Sequence, residues 1–313
     1  MTVLTIVECA PRDGMRLVKG DISLEEKASF IDELSLTGIK KIEAVSFVHP
    51  QLLPRIGDAE DVMKLVQKRS GTSYIGVTPS EVACRRAILT DIDDILVLVA
   101  ASDVFNQVAL GYSLREMMNK VLPSIINVAL NKGKGIRAYI LTSFGCPYKG
   151  NVPVRQVEEL VSKLDFMKVN EISLVDSTGM ATPMLVRELL STLCKMDLNA
   201  GLAVHFHDTR GMGMANAMAA FEAGIKIFDT AVGGMSTLPF GAPEQQVSTW
   251  NIPTEDLVNM FESMGVKTGI DLDRLLSCVA IAEKMGGKQL PGHIIRAGST
   301  YRIFKPPQRL KVG

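Results

Sequence analysis

The sequence lacks a net charge, a long apolar run and a secretory signal. Its 313 residues carry 34 lysines and arginines against 34 aspartates and glutamates, which gives no support for nucleic acid or an anionic membrane surface as a partner. No apolar run reaches the roughly 18 residues that a membrane-spanning helix needs. The first residues show no basic start followed by an apolar core, and instead resemble a strand. We therefore expect no membrane partner and no nucleic-acid partner.

Cysteine and histidine are sparse. The five cysteines are odd in number, scattered and unpaired in spacing, so we expect a reduced, cytoplasmic setting. Sixteen methionines against one tryptophan indicate an adaptable core. Only four histidines occur, and two of them, His205 and His207, share one short segment. That segment is the first candidate for a functional site.

The chain alternates between short apolar runs and helical patterns. Such continuous apolar strands are typical of a parallel sheet covered on both faces. Eight strands, each followed by a helix, predict a (β/α)8 TIM barrel, for which the length is also suitable. Two separate α/β domains are the alternative, but no Pro/Ser-rich boundary supports them. The eight predicted strands are Val3–Glu8, Ile39–Phe47, Tyr74–Val77, Ile92–Ala100, Arg137–Ser143, Glu171–Val175, Leu202–His207 and Ile225–Val232.

The pattern also gives the expected domain organisation. No linker or low-complexity segment appears before about residue 286. We expect a catalytic barrel over residues 1–286 and a C-terminal extension over residues 287–313. The stretch Asp271–Arg296 is predicted to form one more helix and an arm beside the barrel. A single long helix is predicted from Ser113 to Asn131, and a break at Ala10–Gly14.

The segment GLAVHFHDTRG, residues 201–211, reads as a strand that ends in polar side chains. Side chains at i and i+2 of a strand share a face, so His205 and His207 should project together and Phe206 the other way. Two adjacent imidazoles form half of a metal site, because neutral imidazole is the commonest nitrogen ligand. The alternative is a histidine pair that only satisfies hydrogen bonds.

Polar residues collect at the ends of the predicted strands. In TIM barrels the active site lies at the C-terminal ends of the strands, so these residues should meet at one mouth although they are far apart in sequence. They are Arg12 and Asp13 after the first strand, Glu43 and Ser46 on the second, Ser173, Asp176 and Ser177 on or after the sixth, and His205 and His207 on the seventh.

A metal site follows from this arrangement. Strands one and seven are separated only by strand eight in a closed barrel, so Asp13 offers a carboxylate beside His205 and His207. Asn251 is our choice for a fourth ligand from the loop after strand eight. With two nitrogens, two oxygens and no thiolate, the set suits Mg2+ or Mn2+, with Zn2+ and Co2+ as alternatives. Such an ion acts as a Lewis acid on a carbonyl or alkoxide.

Three charged residues could act beside the metal. The Arg12 guanidinium suits a carboxylate or a developing enolate oxygen, or it closes the barrel end in a salt bridge. Glu43 could orient Arg12 or a metal-bound water, or pair with Arg12 for structural reasons alone. Asp176 could accept a hydrogen bond or relay a proton, because it lies too far upstream to cap the helix after Pro183 well.

On these residues the chain resembles 3-hydroxy-3-methylglutaryl-CoA lyase and the wider metal-dependent aldol/Claisen family of barrel lyases. The likeness covers nearly the whole chain, and its motifs are specific in combination. They stand here as PRDG (11–14), IEAVSFVHP (42–50), GCPY (145–148), EISLVDSTGMATP (171–183), HFHDTRGMGMANA (205–217) and NIPTEDLV (251–258).

The resemblance implies a role for each candidate. Arg12 would stabilise the enolate, and Glu43, Asp176 and His205 would assist proton transfer. The reaction would be retro-Claisen cleavage of an acyl-CoA substrate to acetyl-CoA and acetoacetate by a homo-oligomer, a dimer or larger. The implied metal ligands are Asp13, His205, His207 and Asn251, and the implied acyl-pocket residues are Ser46, Ser173 and Ser177.

Two departures from the family pattern affect the substrate. Arg16 stands where the family has glutamine, and adds a cation to the pocket, which favours a substrate with an extra or displaced carboxylate. Leu238 precedes Pro239 where the family has the cysteine thought to protonate the enolate. The alternative is therefore a related lyase or condensing enzyme that acts on another 3-hydroxy-acyl thioester, such as citramalyl-CoA, or on a 2-keto acid. A non-enzymatic scaffold is the third alternative, but it would not need the complete set of ligands.

Overall fold

Eight parallel strands form a closed barrel in which each strand pairs with its sequence neighbours and the first pairs with the last. This computed structural model describes residues 3–18, 20–49, 57–236 and 250–299. The closed parallel sheet, with helices between its strands, confirms the predicted (β/α)8 barrel. The strands are β1 Thr5–Glu8, β2 Lys41–Ser46, β3 Ser73–Val77, β4 Asp94–Ala100, β5 Gly135–Leu141, β6 Glu171–Asp176, β7 Gly201–Phe206 and β8 Ile227–Thr230.

Helices cover the outside of the barrel. The first long one begins at Ser23, whose side chain accepts from the backbone of Glu26 while Glu26 accepts from the backbone of Ser23. The helices are α1 Ala10–Asp13, α2 Leu24–Ser35, α3 Ala59–Leu65, α4 Glu81–Ala87, α5 Asp103–Leu110, α6 Leu114–Glu116, α7 Leu122–Leu130, α8 Val154–Phe166, α9 Pro183–Leu193, α10 Gly213–Glu222, α11 Thr254–Ser263, α12 Leu272–Gly286 and α13 Ile294–Ala297.

The chain after β4 differs from the prediction. A separate helix, α5, precedes the predicted long helix, and Gly111 ends it in a left-handed conformation with φ of 77°. The long helix itself is not uniform, because a π-helical turn at Met117–Val121 joins α6 to α7. Helix α5 was not predicted from the sequence, although it is no shorter than α3 and α4.

The first strand ends at Glu8, before its predicted break at Ala10–Gly14. The expected break at Ala10–Gly14 is the short helix α1, followed by a 3-10 turn over Gly14–Leu17. Its first turn closes with a hydrogen bond of 2.8 Å from the Asp13 N–H to the Cys9 carbonyl. The turn fixes Arg12 and Asp13 at the C-terminal end of the barrel, where the site is expected.

The apolar core has two parts. Between the strands and the helices lies the larger one, which includes Phe206 and Phe228. Inside the barrel lies a smaller cluster that includes Val7, Leu96 and Tyr139. Alternation along β7 explains the division, because Phe206 faces the helices while His205 on the same strand faces the interior.

The described part of the C-terminal region packs against the barrel. The His293 N–H donates to Asp256 of α11 at 2.9 Å. The side chain of Leu290 lies against Gly233, just after β8. The predicted helix over the first part of this region is α12. None of the helices in the described ranges combines the length and apolar character of a membrane-spanning segment.

Candidate metal centre and active site

The two histidines of β7 meet at the mouth of the barrel. His205 lies on the strand, and His207 follows it and forms an isolated bridge with Asn251. Their Nε2 atoms are 3.2 Å apart, and both side chains are buried. The alternation of the strand therefore brings the two imidazoles together as the sequence predicts.

The outer nitrogens of both rings face oxygen acceptors. His207 Nδ1 lies 2.8 Å from the carbonyl of Ser177, so Nδ1 must carry the proton. His205 Nδ1 lies 3.3 Å from the Tyr139 hydroxyl and 3.5 Å from a carboxylate oxygen of Asp229. Because Tyr139 donates its own proton to Glu43, it presents a lone pair to His205. Both rings are thus held as the tautomer with a bare Nε2.

With both ring protons on Nδ1, the two Nε2 atoms present lone pairs to each other, an arrangement that a cation stabilises. Burial, and then the neighbouring His205, lowers the pKa of His207 to about 4, so a proton does not fill this role at neutral pH. A divalent metal suits it, because neutral imidazole nitrogens are its usual ligands. The donor set of this site therefore fits a metal ion.

Asp13 completes the metal-binding cluster. Its carboxylate and the ring nitrogens of His205 and His207 all lie within 4.8 Å of one another. One carboxylate oxygen accepts from Arg12 at 3.1 Å and the other from the Ser236 hydroxyl at 2.6 Å. Although burial opposes it, the adjacent Arg12 guanidinium holds the pKa of Asp13 below its ordinary value. The carboxylate is therefore ionised and ready to bind a cation.

Asn251 lies beside this cluster. Its amide nitrogen is 3.2 Å from His205 Nε2, and its amide oxygen accepts from the Ile252 N–H at 3.1 Å. The two ends of an amide are nearly isosteric, so rotating the amide by half a turn would present oxygen to a cation. The structure thus brings all four predicted ligands to one place, three of them as a cluster.

Arg12 and Glu43 form the second half of the site. Arg12 Nε donates to Glu43 Oε2 at 2.8 Å, and a terminal nitrogen of the same guanidinium also binds this oxygen. The other carboxylate oxygen of Glu43 accepts from Tyr139 and, at 3.2 Å, from Arg137. Glu43 therefore holds the Arg12 guanidinium in place, and is itself held by hydrogen bonds from Tyr139 and Arg137.

A buried ion network beneath the site was missed by the sequence analysis. At its centre is Arg137, whose guanidinium is 2% exposed and binds three carboxylates, those of Glu43, Glu171 and Asp229. Although burial opposes it, Arg137 holds the pKa of Asp229 well below its ordinary value. The signal in the sequence was a charged residue inside each of several otherwise apolar strands, which burial permits only when the charges are paired.

A cavity of about 580 Å³ opens from the cluster to the surface. Its inner end is polar and includes Arg12, Asp13, His205 and His207, together with the half-buried Arg16. Next to Asp13, Arg16 adds a second guanidinium to this end, although burial lowers its pKa. The remaining walls are mostly apolar, and include Phe47, Val48, Val82, Leu98, Leu110 and Leu141.

The predicted serines lie in three different places. Ser177 lines the cavity. Ser173 lies deeper and donates to Asp229 at 2.8 Å. Ser46 borders a separate, much smaller cavity with Pro11. The structure therefore brings only Ser177 to the wall of the main cavity.

Asp176 faces away from the cavity. It alternates with Val175, which lines the cavity, and its two carboxylate oxygens accept from the N–H groups of Met180 and Ala181. Burial raises the pKa of Asp176 to about 6. Its visible contacts order the loop after β6, which the sequence analysis did not anticipate. Leu238, named above for its departure from the family pattern, lies outside the described residues.

Comparisons with known proteins agree with this geometry. Residues 3–281 match the HMGL-like family. The hydroxymethylglutaryl-CoA lyase YngG of Bacillus subtilis is 37% identical over 288 residues, which is 92% of this chain and 95% of that protein. The human mitochondrial hydroxymethylglutaryl-CoA lyase is 34% identical over 288 residues, which is 90% of this chain and 87% of that protein.

Solved structures of similar proteins share the fold. A crystal structure of the HMG-CoA lyase of Bacillus subtilis has a TM-score of 0.89 and 36% identity, over 95% of this chain and 98% of that chain. An HMG-CoA lyase from Acinetobacter baumannii, in complex with coenzyme A and 3-methylmalate, has a TM-score of 0.89 and 31% identity, over 97% and 98%.

Proposed function

Because this chain belongs to the HMGL-like family, we propose that it is a metal-dependent carbon–carbon lyase that cleaves 3-hydroxy-3-methylglutaryl-CoA to acetyl-CoA and acetoacetate. The observation that carries the proposal is the pair of imidazole Nε2 atoms 3.2 Å apart, beside the ionised Asp13. They lie at the inner end of a cavity large enough for an acyl group and part of its thioester arm.

Asp13, His205, His207 and Asn251 are the residues that we propose hold the metal. Two nitrogens and two oxygens without a thiolate favour Mg2+ or Mn2+, and Zn2+ and Co2+ are the alternatives to be compared. A bound divalent ion supplies Lewis-acid chemistry to oxygen atoms of the substrate. The acceptors at the Nδ1 atoms of His205 and His207 hold the proton of each ring on Nδ1 and direct both Nε2 atoms toward the metal position.

Arg12 is the residue that we propose stabilises the enolate of the departing acetyl-CoA. It lines the cavity, and its guanidinium is held by Glu43 on one side and Asp13 on the other. A cation fixed before the reaction costs no reorganisation when negative charge develops on the substrate oxygen.

Proton transfer is proposed for His205, with Glu43 and Asp176 acting indirectly. A general base must come within hydrogen-bond reach of the substrate, and of these three residues only His205 lines the cavity. Glu43 reaches the substrate only through Arg12. Asp176 orders the loop that carries Ser177, whose carbonyl fixes His207, so we propose a positioning role for it.

A shorter hydroxy-diacid thioester, such as citramalyl-CoA, is the second candidate substrate. Two observations favour it over a 2-keto acid. Arg16 lies at the polar end of the cavity, where a displaced carboxylate could bind. In addition, the relative from Acinetobacter baumannii was solved with coenzyme A and 3-methylmalate.

Two further features of the protein are proposed with this function. The five cysteines are all free, which supports a reduced, cytoplasmic setting. A homo-oligomer, a dimer or larger, is expected from the family resemblance, and light scattering on the purified protein would measure its mass.

A lyase assay with both substrates tests the function. Purified protein is incubated with Mg2+ or Mn2+ and either 3-hydroxy-3-methylglutaryl-CoA or citramalyl-CoA, with Asp13→Ala as the control. We expect release of acetyl-CoA from the first substrate, lost in the variant. Release from citramalyl-CoA alone would select the second candidate, and no release from either would overturn both.

A further inference from the structure

The ion network beneath the site connects its two halves through one residue. A terminal nitrogen of Arg137 binds Glu43 at 3.2 Å, and Glu43 fixes Arg12. The other terminal nitrogen binds Asp229 at 2.5 Å, and Asp229 lies 3.5 Å from His205 Nδ1. We propose that Arg137 is a positioning residue that sets the Arg12 half and the His205 half of the site relative to each other.

The fork shape of the guanidinium suits this role. Its planar nitrogens diverge at fixed angles, so Glu43 and Asp229 cannot shift independently while both are bound. Lysine would keep the charge, but it is a single point of attachment on a flexible stem. Arg137 therefore does more than neutralise buried carboxylates. The fixed shape of its guanidinium also couples the position of Arg12 to that of His205.

Asp229 connects Arg137 to His205, a proposed metal ligand. One of its oxygens is taken by Arg137, and the other is shared between His205 and the hydroxyl of Ser173. An acceptor behind a ligating histidine fixes the ring and its tautomer, and the loss of such a partner weakens metal binding about 10- to 100-fold. The inference rests on the metal site proposed above.

The same network contains a matched control. The Nε of Arg137 binds Glu171, and the second carboxylate oxygen of Glu171 accepts from Lys41 at 2.6 Å. Both residues begin their strands, at the end of the barrel opposite the cavity. Glu171→Gln therefore weakens the same buried network, but it removes no contact to Arg12 or His205.

The test measures Mn2+ binding and turnover in Arg137→Lys, Asp229→Asn and Glu171→Gln. Electron paramagnetic resonance of free Mn2+ gives the dissociation constant without any substrate. We expect it to rise about 10- to 100-fold in Arg137→Lys and Asp229→Asn, and by less than about twofold in Glu171→Gln. Arg137→Lys should also lower kcat for 3-hydroxy-3-methylglutaryl-CoA more than it raises KM, because Arg12 acts on the transition state.

Several outcomes would overturn the inference. One is wild-type Mn2+ affinity in both Arg137→Lys and Asp229→Asn. Another is an equal loss in Glu171→Gln, which would indicate general loosening of the barrel. If Arg137→Lys does not fold, as judged by near-ultraviolet circular dichroism, Asp229→Asn decides alone. Mn2+ binding without lyase activity would instead contradict only the proposed function, and absence of Mn2+ binding in the wild type would overturn both.

Discussion

The guanidinium of Arg12, at the mouth of the barrel, binds two carboxylates and also lines the cavity. Arg12 binds Glu43 through Nε and one terminal nitrogen, and Asp13 through the other terminal nitrogen at 3.1 Å. Its orientation is thus fixed without a substrate, and its charge remains beside the cavity. Preorganised charge of this kind is usually the largest electrostatic contribution to catalysis.

Replacing Arg12 by lysine keeps the positive charge but removes its fixed orientation, so the variant tests the contribution of orientation alone. We expect Arg12→Lys to lower kcat for 3-hydroxy-3-methylglutaryl-CoA by about 100-fold or more, because lysine cannot bind Glu43 as a fork. Steady-state kinetics measure this. Arg86→Lys is the control, since Arg86 also lines the cavity but is bound by Glu60. Similar losses in the two variants would show that the geometry of Arg12 is unimportant.

Glu255 should make the stability of the protein depend on pH. It is buried in α11, and among the described residues its Oε1 has no hydrogen-bond partner. Burial raises its pKa from 4.5 to about 8, so the native state keeps a proton that the unfolded state loses. This stabilisation is complete below pH 4.5 and declines up to about pH 8, by about 1.4 kcal/mol per pH unit.

Glu255→Gln tests this dependence, because glutamine does not titrate. Urea denaturation of both proteins at pH 5, 6, 7 and 8 should show the stability of the wild type falling more steeply with pH than that of the variant. Glu25→Gln, at an exposed site in α2, should leave the slope unchanged. Parallel curves for wild type and Glu255→Gln would show that Glu255 is ionised in the native state at neutral pH.

For single residues, the sequence predicted positions best where the period of a strand sets the direction in which a side chain points. The spacing of two along β7 was enough to bring His205 and His207 together. It failed where a side chain's partner comes from a distant strand, as for Arg137 and Asp229, because nothing local in the sequence specifies their pairing. Ser46 shows a different failure, since the match of its motif does not show which cavity its side chain borders.

Among the elements, α1 and the segment after β8 share a tight contact. A Cβ built on Gly14 would lie 2.5 Å from Cγ of Met235. The next residue, Ser236, donates to Asp13 at 2.6 Å. The glycine thus allows the two segments to approach closely enough for Ser236 to hold the carboxylate.

Gly14→Ala should therefore weaken metal binding. Gly14 has a helical φ of −72°, so alanine would suit the backbone, and any loss must come from displacing Met235. We expect the Mn2+ dissociation constant to rise about 10-fold, as for the loss of a partner that orients a ligand. Adding Met235→Ala should recover part of the affinity. Unchanged affinity in Gly14→Ala would show that the contact does not control Asp13.

The strands and helices themselves were largely predictable from the sequence, because each strand and most helices are long enough to show repeats of their hydrophobic period. Two helices are exceptions. Four-residue α1 is about one turn, too short to show a period, and α5 was not predicted. Proline in the first turn is compatible with a helix, since that turn has no intrahelical acceptor for its N–H.

The whole barrel contributes to the proposed metal centre. Its four ligands come from α1, from β7 and the residue after it, and from the segment that follows β8. These parts meet only when the sheet closes, so the unfolded chain offers no comparable site. Metal binding and global stability must then be linked.

Mn2+ should raise the stability of the wild type against unfolding. At 100 times its dissociation constant, the free energy of unfolding should increase by about 2.7 kcal/mol, which urea denaturation with and without Mn2+ would measure. Asp13→Ala should show a much smaller increase, because it lacks one ligand. An equal increase in both proteins would place the stabilising ion elsewhere.

The cavity is built from two arcs of the barrel. The cationic and ligating end comes from the segment after β1 and from the end of β7, whereas the apolar walls come mainly from β4 and β5, from residues after β2 and β3, and from α4 and α5. Substitutions on the apolar arc leave the ligands in place. During evolution, substitutions on the apolar arc could thus change which thioester is bound, while the cationic and ligating arc keeps the bond-cleaving chemistry unchanged.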